Sequence, residues 1–226
     1  SKAVANCKTD RIILRDLDSA WHHRGIRGIS NDIFGTIAFL KEKIAKRKYE
    51  KIICAGICAG GYAALLVGSI IRADEILAFS PHTFFDQRNR ANFNDNRWAG
   101  QVEKIQEGAS GMHSDLRTVL ESSLSGQTVV HIYACEKDPL SKLHADHLSS
   151  FNAIRFHFLE EKGKDIEKYL KEAGTVTRIV NSALSAYPER VWPLAGGQGP
   201  PRLPGDRGPP RPARVRRPLL GPRRPG

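Results

Sequence analysis

Short apolar strands alternate with helices along most of the chain, and this predicts an α/β fold, a mostly parallel sheet flanked by helices. Two observations carry the prediction. The first is the stretch Lys51 to Leu66, where Ile52 to Ala55 reads as a short buried strand and Gly61 to about Ile71 as a helix apolar nearly all round. The second is a series of further apolar strands, each followed by a polar loop and a helical pattern.

In chain order, Arg11 to Arg15 reads as the first strand, followed by a polar and aromatic loop from Asp16 to Gly25. Ser30 is the expected N-cap of the next helix, in which Ile33, Ile37, Leu40 and Ile44 share one face. Lys46, Arg47 and Lys48 suit that helix's C-terminal end. After Ile52 to Ala55 and its helix comes the strand Glu75 to Phe79, ending in the loop Ser80 to Phe85. Residues 86 to 97 read as an exposed polar excursion, with helical stretches near 98 to 107 and 114 to 122. Thr128 to Ala134 is the next strand and Leu140 to Leu148 a helix. Ile154, Phe156 and Phe158 alternate with Arg155 and His157 as a half-exposed strand, and residues 165 to 185 are helical with a break at Gly174.

Between the second strand and its helix lies Gly56-Ile57-Cys58-Ala59-Gly60, a G-x-S-x-G turn with Cys in the serine position. A strand that turns this sharply into a helix holds its central residue in strained backbone, and Gly56 and Gly60 are expected to leave room for it. The central side chain stands at a helix N-terminus, where the dipole favours a thiolate or a developing oxyanion. The same residues also fit an inert alternative, with Cys58 a small buried side chain in a tight turn.

The totals bound the rest. The chain has 226 residues, 40% of them hydrophobic, and a formal charge of +11. No run approaches the roughly 18 apolar residues of a membrane span, and the start lacks a basic-then-apolar leader pattern. Cys7, Cys54, Cys58 and Cys135 show no zinc-type pairing, so a reducing cytoplasm is the expectation, with no metal and no cofactor called for. Two parts are expected, a domain over 1–186 and a tail over 187–226. The tail holds nine arginines, 11 of the 13 prolines and no lysine, and accounts for +7 of the net charge. Such a composition predicts disorder and weak, salt-dependent polyanion binding. It also fits translation of GC-rich DNA outside its proper frame.

The segments Arg15-Asp16, Trp21 to Gly25, Gly56 to Leu66, and Leu77-Ala78-Phe79-Ser80-Pro81-His82-Thr83-Phe84 together resemble the α/β-hydrolases over roughly residues 10 to 185. More closely they resemble a bacterial group of hydrolase-like proteins often met beside glycosyltransferase and surface-polysaccharide modules. Members of that group usually read G-S-S-x-G-G-Y-A-A-L-L and A-F-S-P-Q-T-F at the equivalent places. The resemblance implies a nucleophile, an acid and a histidine in that chain order. It places Cys58 as nucleophile, Asp138 in Cys135 to Leu140 as acid, and the backbone N–H of Ala59 as one oxyanion donor. Asp138 also fits a plain cap of the helix after Pro139. Lys164 stands where the histidine is expected, so its role is open, and His82, His144, His147 and His157 are candidate substitutes. His144 and His147, three apart, also fit a metal pair in principle. The strand that supplies the second oxyanion donor in that fold is not evident, so an N-terminally incomplete copy is expected. Two functions follow from the resemblance. One is an acyl-ester or thioester hydrolase or acyltransferase acting on a small-molecule or glycan-linked acyl group. The other is a catalytically inactive hydrolase-like binding or scaffold domain.

Overall fold

The computed structural model describes residues 9–106, 113–159 and 174–185, all within the unit Ser1–Pro188. Lys164 and the tail lie outside the described residues. The elements run α1 (Ile33–Ala45), β1 (Ile53–Ile57), α2 (Ala59–Ile70), β2 (Glu75–Phe79), α3 (Gln87–Phe93), α4 (Ala99–Gln106), α5 (Leu116–Ser123), β3 (Val129–Cys135), α6 (Pro139–Asp146), β4 (Ile154–Leu159) and α7 (Thr175–Ser185). The four strands form one parallel sheet in the order β1-β2-β3-β4. This is the α/β architecture expected, with helices flanking a parallel sheet.

The period-2 alternation of a strand assigns its side chains to two cores. Ile76 and Ala78 of β2, with Val130, Ile132 and Ala134 of β3, face α1, α2, α5 and α6, where Leu40, Leu65, Leu66, Leu116 and Leu120 pack. Leu77, Phe79, Tyr133 and Cys135 point the other way, towards Val176, Ile179, Val180 and Ala183 of α7. β2 is interior and buried along nearly its whole length, as its unbroken apolar run requires. α2 is buried on every side from Gly61 to Ser69 because it lies between the sheet and α5.

Two local expectations are corrected. Arg11 to Arg15 is not a strand, and Ile12 and Ile13 are 52% and 63% exposed. Its isoleucines favour extended backbone, but a strand also needs a ladder partner, and β1 pairs only with β2 among the described residues. The N-cap of α1 is Asp32, whose carboxylate accepts from Gly35 N–H at 2.7 Å. Ser30 instead accepts from Ile26 N–H at 2.9 Å and bonds Thr36 Oγ1, which closes the preceding turn. The polar excursion after Phe85 contains the short helix α3, capped by Asp86. No described helix is long and apolar enough to cross a membrane.

Candidate active site

Parallel strands place all their C-terminal ends on one edge of the sheet, and the loops that leave that edge build the site. Cys58 follows β1 with φ 54° and ψ −116°, and it is the N-cap of α2. Its N–H donates to Phe79 O at 2.9 Å, which ties the turn to the end of β2. Its carbonyl accepts from Tyr62 N–H at 3.0 Å, the first bond of the helix. Gly56 makes the turn fit, since a Cβ there would lie 2.0 Å from Gly60 O. Gly60 differs, because a Cβ on it meets nothing within 4 Å. Ala59 opens α2, where the first N–H groups have no partner within the helix.

The loop after β2 brings His82 to the cysteine, with Nε2 3.4 Å from Cys58 Sγ. Several bonds hold that loop. Ser80, at φ 42°, donates its N–H to Tyr133 O at 2.7 Å, and its hydroxyl bonds Ser141 Oγ. Thr83 N–H donates to His144 Nδ1 at 3.0 Å, and Thr83 Oγ1 donates to His144 O at 2.9 Å. Nδ1 of His144 is therefore an acceptor, so Nε2 carries the proton and donates to Asp95 Oδ2 at 3.1 Å. Asp95 is buried and bonded by Arg97, which with His144 holds its carboxyl well below the usual carboxylate range against the cost of burial.

Trp21 decides what His82 can do. Its indole N–H, a donor only, reaches His82 Nδ1 at 3.2 Å. The lone pair is thus on Nδ1 and the proton on Nε2, which faces the sulfur. Burial, reinforced by His144 and Arg97, lowers the His82 pKa to about 3, so the ring is neutral at pH 7. It acts towards Cys58 as a hydrogen-bond donor, the arrangement that favours a thiolate. Trp21 is held by the loop from Asp16, whose carboxylate accepts from Ala20 N–H at 2.8 Å and His22 N–H at 3.0 Å. Behind it, His23 Nε2 lies 2.9 Å from Tyr62 Oη, and burial lowers the His23 pKa to about 4.

These groups surround a cleft of ≈ 290 Å³ lined by Asp16, Ser19, Trp21, His22, Cys58, Ala59, Gly60, His82, Trp98 and Gln101, among others. Eight non-glycine residues have positive φ among the described residues, and Ser19, Trp21, His22, Cys58 and Trp98 of these line the cleft. Backbone strain concentrated at one cleft is typical of functional sites.

Asp138 lies at the same sheet edge, after β3, where its Oδ1 accepts from Leu140 N–H at 3.1 Å as the N-cap of α6. It does not line the Cys58 cleft. Of the other histidines, His147 bonds Asp115 at 2.7 Å and His157 bonds His131 at 2.8 Å. His144 and His147 thus each serve a different carboxylate. No group of three or more metal-binding side chains occurs among the described residues. The sequence places His82 at a strand end but gives Trp21 and Trp98 no role as walls of the site. Trp21 is signalled by the polar and aromatic loop that carries part of the resemblance, whereas Trp98 reads only as the start of a helical stretch.

No family model and no curated protein matches the chain. Solved structures similar to it include the capsule O-acetyltransferase of Neisseria meningitidis serogroup A in complex with CoA, at 17% identity and TM-score 0.48 over 70% of this chain and 68% of that one. Another is MGS-MChE2, an alpha/beta hydrolase enzyme from the metagenome of lagoon sediments at Mar Chica, Morocco, at 13% and 0.46 over 72% and 75%. A third is the Pyrobaculum calidifontis esterase, at 16% and 0.44 over 69% and 60%. At these identities and scores, none of the likenesses carries an inference about what this chain does.

Proposed function

We propose that this chain is an α/β-hydrolase-fold protein that cleaves or transfers acyl groups from esters or thioesters, with Cys58 as nucleophile. The observation that carries this reading is the strained turn at Cys58, which presents Sγ to a cleft, 3.4 Å from a neutral imidazole donor. The thiolate attacks the acyl carbonyl carbon and forms a C–S bond, while the carbonyl oxygen becomes an oxyanion held by Ala59 N–H. Collapse of the oxyanion expels an alkoxide or thiolate, which takes a proton from water. Water or an acceptor hydroxyl then cleaves the thioester and regenerates Cys58. Chain order after β3 and β4 is what supports Asp138 as the proposed carboxylate and Lys164 as the proposed cationic partner of Cys58.

One observation favours the alternative, a hydrolase-like binding domain without turnover. Trp21 occupies the His82 lone pair, so His82 cannot take a proton from Cys58 or from water in this arrangement. The readings separate in a steady-state assay with p-nitrophenyl esters. Turnover that disappears in Cys58→Ala supports the enzyme, and rates equal to buffer in both proteins support the binding domain.

A further inference from the structure

A second cavity, of ≈ 370 Å³, adjoins the Cys58 cleft, and His22 and Gly60 line both. Because a Cβ on Gly60 would meet nothing within 4 Å, the space beside it is open where the two cavities join. Beyond that point the cavity runs beside β1, with Ile53, Cys54 and Ala55 along one side. Ala63 and Val67 of α2, Leu40 and Ile44 of α1 and the segment Ile12 to Leu14 form much of the remaining wall. Cys58 follows the C-terminal end of β1, and the cavity is lined from Ala55 back to Lys51, five residues that at about 3.3 Å per residue extend roughly 13 Å.

The charged residues of this cavity already have partners. Asp10 is bonded by Arg47 and Tyr49, Lys51 pairs with Glu75 at 2.5 Å, and the Lys43 ammonium lies 5.1 Å from the Phe39 ring centroid. The remaining wall is mostly apolar, which calls for a hydrocarbon rather than an ionic ligand. Ile12 and Ile13 line the cavity while staying more than half exposed, an exposure that a bound chain would reduce.

We infer that this cavity is the tail site for a linear, medium-chain acyl group whose carbonyl end lies at Cys58. The placement of the carbonyl rests on the nucleophile reading above, whereas the tail site is tested apart from it. Each methylene taken from water adds about fourfold to affinity, so octanoyl esters should exceed acetyl esters in kcat/KM by about tenfold or more.

The test uses the full chain carrying Cys58→Ala and measures decanoate binding by calorimetry, with Ile13→Asp and Ala63→Leu added separately. Ile13 is 63% exposed, so its substitution leaves the core intact, and Ala63→Leu fills the cavity from the opposite wall. The expected result is decanoate binding that each variant weakens about tenfold, with a matching fall in the octanoyl-to-acetyl rate ratio in the Cys58 protein. Decanoate that fails to bind the Cys58→Ala protein, or that binds both variants as tightly as it binds that protein, overturns the inference. Binding without ester turnover keeps the tail site and removes the nucleophile reading. Acetyl-ester turnover without decanoate binding does the reverse.

Discussion

Cys54 and Cys58 sit four residues apart on one strand and the turn that ends it, yet they occupy opposite chemical situations. Cys54 is, like Cys58, half-buried, but it packs against the core between β1 and α2, and desolvation pushes its thiol up to about 12. Cys58 is half-buried at a helix start, in left-handed backbone, facing an imidazole N–H and a cleft. The side chain is the same, so the difference comes from the backbone. Four residues of chain move a thiol from an apolar wall beside the core to the sheet edge where loops converge.

The largest expected effect is in reactivity. At pH 7.5 iodoacetamide should label Cys58 about a hundredfold faster than Cys54, whose thiolate fraction burial suppresses. Peptide mass spectrometry over a time course reads the ratio, and comparable rates at the two sites would erase the distinction.

The second effect tests the turn that creates the difference. Gly56→Ala drives a Cβ into Gly60 O and should cost about 3 kcal/mol or more, lowering Tm by roughly 10 °C. Gly60→Ala, in the first turn of α2 with open space around it, should be neutral or stabilise by about 0.5–1 kcal/mol. Thermal melts that rank the two glycines the other way would mean the turn is built differently.

The third concerns the neutral ring that faces Cys58. His82 and His23 have folded pKa values of about 3 and 4, below the ordinary 6.5. Between pH 6.5 and those values the unfolded chain binds protons that the folded rings refuse. Stability therefore falls as pH drops through that window and is flat with respect to these groups above it. At pH 4.5 each ring should lower stability by roughly 2–3 kcal/mol relative to pH 7.5. Denaturant titrations of His82→Gln and His23→Gln should each show a shallower acid limb, and an unchanged limb in both would mean the rings are not neutral in the folded protein.

The smallest effect separates two roles for Asp138. Asp138→Asn keeps an acceptor for Leu140 N–H, so Tm should hold within about 2 °C. As the proposed carboxylate of the site, its neutralisation should lower ester turnover about tenfold. Unchanged turnover would leave Asp138 as a helix cap.

The comparison of the cysteines also shows what the sequence makes legible. Strand, glycine turn and buried helix were readable at Cys58 because they depend on residues within one local stretch. The interior strand β2 was readable because burial on both faces leaves an unbroken apolar run. Arg11 to Arg15 was misread because a strand also needs a neighbour, and a local pattern does not contain its neighbour. The choice of Asp32 over Ser30 as cap turned on the contacts Ser30 makes with Ile26 and Thr36. The latch between Trp21 and His82 joins residues 61 apart, and no spacing rule anticipates it. Asp138 was legible as the cap of the helix that Pro139 opens, because a carboxylate just before that proline is a local signal, and its bond to Leu140 N–H is that cap.

The most direct test of the central claim is whether Cys58 accepts an acyl group. The protein and its Cys58→Ala variant are each mixed with excess p-nitrophenyl acetate, quenched in acid and analysed by peptide mass spectrometry. A single acetyl group on the peptide containing Cys58, absent from the variant and from Cys54, is the predicted result. An unmodified Cys58, or acetylation that persists undiminished in the variant, would contradict it.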